Sequence, residues 1–234
     1  MTTMWMVVGS NSNDSCRRYS NKNISNCLNS HKEYFRDSTS INPSCHRDRA
    51  EKAVRLARTT FSGNKIWSRG VLDLGAGCGD VKRFLKEYEI YIPSDIRSRD
   101  FPVLECDYGK GEIPNVESLD AIFALGIVEW MCDPHLFLKA LRSYNTSIVL
   151  SYTPSDFHVP TVPLANSLTS ETLETILNEA GFSILRKEIV TVRSGGTYTD
   201  MTNLLYSLTP TKERKNLRFG DMMNKGDFLF IKNF

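Results

Sequence analysis

The chain predicts an α/β fold: a doubly wound, mostly parallel sheet with helices on both faces. Two observations carry this. The stretch Val71-Leu72-Asp73-Leu74-Gly75-Ala76-Gly77-Cys78-Gly79-Asp80 closes an apolar run with an acid, breaks into alternating glycines, and opens the helical pattern Val81, Phe84, Leu85, Tyr88. That is the signature of a buried strand, a tight turn and an amphipathic helix, the first unit of a nucleotide-binding sheet. Further apolar runs follow downstream, two of them ending in acids at Asp95 and Asp107, with helical patterns between later ones. At 234 residues the chain has room for one well-cored domain and an extension.

Composition narrows the partners. A net charge of +2 on a chain of this size does not advertise nucleic-acid or membrane-surface binding. The six cysteines form no C-x-x-C pair, and Cys78 and Cys106 fall near the expected ligand, so reduced thiols in a cytoplasmic setting are expected. Cys16, Cys27, Cys45 and His46 match no zinc spacing, and no metal is expected. Met4–Val8 is too short for a signal-peptide core, and no apolar run reaches membrane-spanning length.

Taken in order, residues 1–44 are Ser- and Asn-rich and read as a flexible polar arm ahead of a domain over 45–234. Within the arm, Tyr34 and Phe35 are an aromatic pair able to pack or to close over a ligand. From Arg47 to Thr60, Ala50, Ala53, Val54 and Ala57 recur at helical spacing, which predicts an amphipathic helix on the sheet. The first strand is expected over about 70–74 and the second over Glu89–Pro93, ending at Ser94-Asp95. In doubly wound folds an acid at that place binds ribose hydroxyls. Phe101–Asp107 is the third strand and Leu119 to Trp130 the fourth strand with its loop, then a helix from His135 to Arg142. Thr146–Tyr152 is the fifth strand. Thr153–Leu168, with three prolines, is an irregular segment over the strand C-termini, where substrates bind in open sheets. Ser170 caps a helix to Ala180, Gly181 stops it, and Phe182–Val192 is strand six. Thr197–Leu208 reads as a helix or a lid, within a lid segment of about 194–220, and Asp227–Lys232 as a final strand.

Spacing decides which ligand the glycine loop suits. A dinucleotide fingerprint is G-x-G-x-x-G, whereas here the glycines run G-x-G-x-G, with Asp73 two residues before the first and no G-K-S/T of a triphosphate site. The pattern D-x-G-x-G-x-G resembles motif I of class I S-adenosylmethionine-dependent methyltransferases, small-molecule, quinone-pathway-like branch. The strand-2 and strand-3 acids, Ile113-Pro114 and Ala180-Gly181-Phe182 are similar to that family as well. The resemblance implies a Rossmann-like sheet of seven strands, mostly parallel, whose antiparallel last strand (Asp227–Lys232) slots between strands five and six. It implies S-adenosyl-L-methionine as cofactor, with S-adenosyl-L-homocysteine as product. Asp73, Gly75, Ala76, Gly77 and Gly79 would form the loop, Asp95 and Ile96 would meet the ribose side, Cys106, Asp107 and Tyr108 the adenine, and Leu125 and Gly126 the fourth-strand tip.

Two departures from the family stand out. The acid-histidine pair after strand four is Glu129-Trp130 here, and N-P-P-[YFW], used on adenine and glutamine, is missing. The implied reaction is in-line displacement onto a small-molecule acceptor, with Glu129 and His158 as candidate bases and Tyr152 as an orienting hydroxyl. A homodimer is left open, and no membrane or nucleic-acid partner is expected. Other readings stay open too: a cofactor-binding regulatory partner of another methyltransferase, a protein or RNA methyltransferase, and a nucleotide-sugar or NAD enzyme on a related fold.

Overall fold

The computed structural model describes residues 15–19, 43–62, 66–98, 100–157, 164–192 and 201–211. Its elements in chain order are β1 (Cys16–Arg18), α1 (Pro43–Ala57), β2 (Val71–Leu74), β3 (Tyr91–Asp95), β4 (Leu104–Glu105), β5 (Glu112–Pro114), β6 (Ala121–Leu125), α2 (Pro134–Arg142), β7 (Ile148–Tyr152), α3 (Ser170–Glu179), β8 (Phe182–Val192) and β9 (Met201–Pro210). Seven strands make one sheet in the order β4-β3-β2-β6-β7-β9-β8, and β1 pairs with β5 in a two-stranded ribbon. Neighbours from β4 to β7 run parallel, while β9 runs antiparallel to β7 and to β8. The expected mostly parallel sheet with helices on both faces is therefore present.

The antiparallel strand comes from a different stretch than expected. Met201–Pro210 fills the slot, so the helix-or-lid reading of Thr197–Leu208 is corrected over these residues. Asp227–Lys232 lies outside the described residues. The physical reason is burial on both faces: Asn203, Leu205 and Ser207 point one way and Leu204, Tyr206 and Leu208 the other, all inside. A strand covered twice shows no polar-apolar alternation to read.

A second correction concerns the turn after the glycines. In place of the amphipathic helix there is one 3-10 turn, Asp80–Phe84, ending at an extended Leu85. Only eleven residues separate Gly79 from β3, too few for a helix and its return. Asp80 is the first residue of that turn, and its carboxylate pairs with Arg83 at 3.1 Å. The cap of α3 is Thr169 rather than Ser170, which bonds Asp156 through its N–H and hydroxyl.

The arm is not wholly loose. Cys16 through Arg18 pair with Pro114 through Glu112, and this register brings Cys16 beside Cys106, joined by a disulfide with Cα atoms 5.9 Å apart. Cys132 is disulfide-bonded as well, and Cys78 is a free thiol. The expectation of reduced thiols is thus corrected: a separation of 90 residues hid the pairing. Oxidising conditions favour such links. No described helix is long and apolar enough to cross a membrane.

α1 sets the geometry of one face. Ala50, Ala53, Val54 and Ala57 pack it onto Val71, Tyr91, Phe123, Val149 and Leu205, while α2 and α3 cover the other face. Just past its C-terminal end, Arg58 forms a two-pronged ion pair with Glu89, whose carboxylate also accepts the N–H groups of Lys86 and Trp67 at 2.9 and 3.1 Å. The guanidinium stacks 3.8 Å from the Trp67 ring centre. Burial pushes the Glu89 carboxyl up, but Arg58 and the two N–H donors outweigh it and hold the pKa below the usual value.

Two outcomes follow for stability. Arg58→Ala leaves Glu89 buried without its counter-charge and should cost roughly 3–5 kcal/mol in chemical denaturation. Cys16→Ser should cost roughly 2–5 kcal/mol, and a reductant should lower the thermal midpoint of the wild type toward that of the variant.

Candidate functional site

The tips of β2, β3, β6 and β7 converge at the carboxyl edge of the sheet, under the N-terminal part of α1. Gly77 sits at the crest of the loop with φ 54°, a left-handed conformation that glycine adopts at little cost. Among the described residues a Cβ there would meet nothing nearer than 3.9 Å, so the crest of the loop is uncrowded. Its N–H donates to Asp95 Oδ2 at 2.8 Å, and Ala76 N–H donates to the Ser94 carbonyl at 3.0 Å. Asp95 also accepts the N–H of Ile96 at 2.7 Å, leaving Ile96 exposed beside the loop.

Aromatic hydroxyls carry the loop from below. Tyr91 donates to Asp73 Oδ2 at 2.7 Å. Tyr108 donates to Ser94 Oγ at 2.7 Å and accepts the Gly75 N–H at 3.4 Å, so it is a prop beneath the loop. Asp107 caps the short turn Tyr108–Lys110 and pairs with Lys110 at 2.9 Å. Cys106, directly before it, is held by its disulfide to Cys16. Gly79 is closed off by the Phe101 ring, 3.0 Å from where a Cβ would stand.

The electrostatics are unbalanced. Asp73, Asp80 and Glu129 are all buried; Asp80 is answered first by Arg83 and Arg47, and the cation felt by all three is Arg49, which lies against the backbone of Gly126. A Cβ at Gly126 would come within 2.5 Å of Arg49 Nη1. Burial raises all three carboxyl pKa values, that of Asp73 to about 7 even against the Tyr91 hydrogen bond. One oxygen of Asp80 and one of Glu129 are buried with no hydrogen-bond partner among the described residues.

The remaining candidates divide. Glu129 Oε1 accepts the Thr153 N–H at 3.0 Å, and its carbonyl accepts the N–H groups of Ala165 and Asn166. Tyr152 is buried, its hydroxyl pushed up to about 12 by burial, and that hydroxyl is taken: it donates to Asn166 Oδ1 and accepts the Leu168 N–H, both at 2.7 Å. It ties down residues 166–168. Leu125 ends β6 half-buried, next to Gly126. His158 and the pair Tyr34-Phe35 lie outside the described residues. Among the described residues no group of three His, Cys, Asp or Glu is placed to hold a metal.

Sequence reasoning missed Arg49, which reads as one more arginine of a charged helix. Its one distinguishing signal is its place beside Ala50, at the edge of the apolar stripe.

No protein-family model matches the chain, and no curated protein matches it in sequence. Solved structures share its fold. The N-methyltransferase NodS from Bradyrhizobium japonicum WM9, in complex with S-adenosyl-L-homocysteine, aligns with a TM-score of 0.56 at 13% identity, covering 80% of this chain and 100% of that one. An S-adenosylmethionine-dependent methyltransferase from Clostridium acetobutylicum ATCC 824 aligns with a TM-score of 0.52 at 9% identity, covering 82% and 100%. The chain has the Rossmann-like fold of S-adenosylmethionine-dependent methyltransferases.

Asp73 gives the site a pH signature. Its folded pKa, about 7, lies above the ordinary 3.8, so the folded state binds the proton more tightly. The resulting stability is fully present below about pH 4 and is lost as pH rises through 7. Thermal midpoints of the ligand-free protein between pH 5 and 8.5 should fall with this component, and Asp73→Asn should lack it.

Proposed function

We propose that this chain is an S-adenosylmethionine-dependent methyltransferase that methylates a small-molecule acceptor. One observation carries the reading: the buried carboxylates of Asp73, Asp80 and Glu129, with Arg49 as the one cation common to all three, lie beside a glycine loop whose crest at Gly77 is uncrowded among the described residues. Such a site favours a ligand with positive charge, because an uncompensated buried carboxylate is costly. S-adenosylmethionine offers an ammonium, a sulfonium and an adenosine.

The residues fit that ligand better than a dinucleotide. A pyrophosphate is held by a helix N-terminus, and here the loop leads into a five-residue 3-10 turn whose first residue is Asp80. Phosphate would meet the carboxylates of Asp73, Asp80 and Asp95 instead. In this reading Gly75 and Gly77 let the cofactor lie on the backbone, and Asp73 faces its ammonium side. Asp95 keeps lone pairs for the ribose hydroxyls while holding Gly77, and exposed Ile96 offers an apolar face to the adenine. Asp107 borders the adenine edge, and Arg49 at Gly126 answers the carboxylate of the methionine part.

When bound, the cofactor supplies a methyl group activated by its sulfonium. The chain's own tasks are to align the acceptor and keep water out. In this reading Glu129 receives a proton from the acceptor, supported by its burial and by one oxygen with no partner among the described residues. Tyr152 acts at one remove by fixing residues 166–168, which carry the chain past Glu129.

Calorimetry tests the reading. S-adenosylhomocysteine should bind and NAD should not. Gly77→Val, which adds bulk at a positive φ, should abolish binding, and Asp95→Ala should weaken it about tenfold, the loss of a charged hydrogen-bonding group. Unchanged affinity in both variants, or binding of NAD alone, would defeat the proposal. Transfer of labelled methyl into fractions of small molecules tests the acceptor class; label found only in protein or RNA would redirect it.

A further inference from the structure

Beyond the glycine loop, the same sheet face holds a second buried polar cluster. On β7, Ser151 shares the α1 face with Val149, and on β9 Asn203 shares it with Leu205, because side chains alternate along a strand. Thr153, just past β7, links Glu129 to Asn203. Its N–H donates to Glu129 Oε1 at 3.0 Å, and its hydroxyl donates to Asn203 Oδ1 at 3.2 Å. Next to Ser151, the Gly126 N–H reaches the Ser151 carbonyl, and Arg49 rests on Gly126.

This cluster is incomplete in a specific way. Glu129 Oε2, Ser151 Oγ and Asn203 Nδ2 are each buried without a hydrogen-bond partner among the described residues. Glu129 is 5% exposed, Ser151 and Asn203 0%. Buried polar atoms are nearly always satisfied, and each exception needs a cause. Three such exceptions, two of them linked through Thr153 and the third two residues before it on β7, point to a single missing occupant. The set offers one acidic acceptor, one amide donor and one hydroxyl that can do either. Asp73 and Asp80 flank the glycine loop, whereas Glu129 lies beyond β6 and bonds across to the β7 end. Of the three acids that share Arg49, Glu129 is the one that reaches this cluster.

We propose that Glu129, Ser151 and Asn203 form a binding subsite for a small amine that carries a hydroxyl or carbonyl oxygen close to its nitrogen. The ammonium donates to Glu129 Oε2, the ligand oxygen accepts from Asn203 Nδ2, and Ser151 Oγ bridges the two. A carboxylate ligand is rejected here by Glu129, and a diol lacks the charge. Identifying this ligand as the methyl acceptor rests on the proposed function; the subsite itself does not.

The test is direct binding, followed by nuclear magnetic resonance on the full-length, disulfide-intact protein, with and without saturating S-adenosylhomocysteine. The probes are 2-aminoethanol and glycinamide, with ethane-1,2-diol and propanoate as controls of similar size. The two amines should bind saturably and the controls should not. Glu129→Gln and Asn203→Leu should each weaken the amines about tenfold, the scale of one charged or buried hydrogen bond. Ser151→Ala, the mildest change, should weaken them severalfold while leaving the thermal midpoint and S-adenosylhomocysteine affinity near wild type. Absence of amine binding, equal binding of diol or propanoate, or variants that lower stability without touching amine affinity would each overturn the subsite; the last marks a water-filled structural cluster. Amine binding in a protein that takes no S-adenosylhomocysteine keeps the subsite and sinks the methyltransferase reading instead.

Discussion

The sheet's carboxyl edge depends on the guanidinium of Arg49, set among three buried carboxylates. Asp73 comes from β2, Asp80 from the turn after the glycine loop, and Glu129 from the turn after β6, and Arg49 of α1 is the cation common to all three. Burying charge is costly unless it is paired, so the position of α1 is dictated from both ends. At one end Arg49 must reach Gly126, where only a glycine leaves room for it; at the other Arg58 must reach Glu89. Between them the helix shows Ala50, Ala53 and Ala57 to the sheet, side chains small enough to let it lie close.

The glycine loop is held from beneath by hydroxyl groups and from the side by a carboxylate. Tyr91 satisfies the buried carboxylate of Asp73, while Tyr108 and Asp95 accept the partly buried N–H groups of Gly75 and Gly77. This scaffold makes up for the short turn that stands where a full helix was expected. The same shortening removes the helix N-terminus that phosphate would need, so the architecture and the ring of acids favour the same kind of ligand.

Much of the frame was legible. Strands β2, β3, β6 and β7 announce themselves as short apolar runs, because strands covered on both faces must be apolar throughout. Gly77 and Asp95 were readable as members of one site, a glycine loop and the acid that ends the neighbouring strand; the hydrogen bond between them was not. Glu129 was visible as an acid after β6. Glu89 and Tyr91 were misread as plain strand residues, since nothing in an apolar run marks which member will turn inward to meet an arginine or a carboxylate. Asn203 and Ser151 carried no signal at all: a polar residue inside a strand looks like a solvent-facing one until a helix covers it.

The amino-acid order alone determined the α/β class, the parallel strands and the place of the loop, because burial periodicity and backbone freedom are local properties. Only the tertiary structure decided that Met201–Pro210 inserts between β7 and β8, that Cys16 meets Cys106, and that Arg49 serves three acids. Each of these joins residues far apart in the chain. Their energies arise from burial and charge that exist only after the segments have packed, and no local pattern records them.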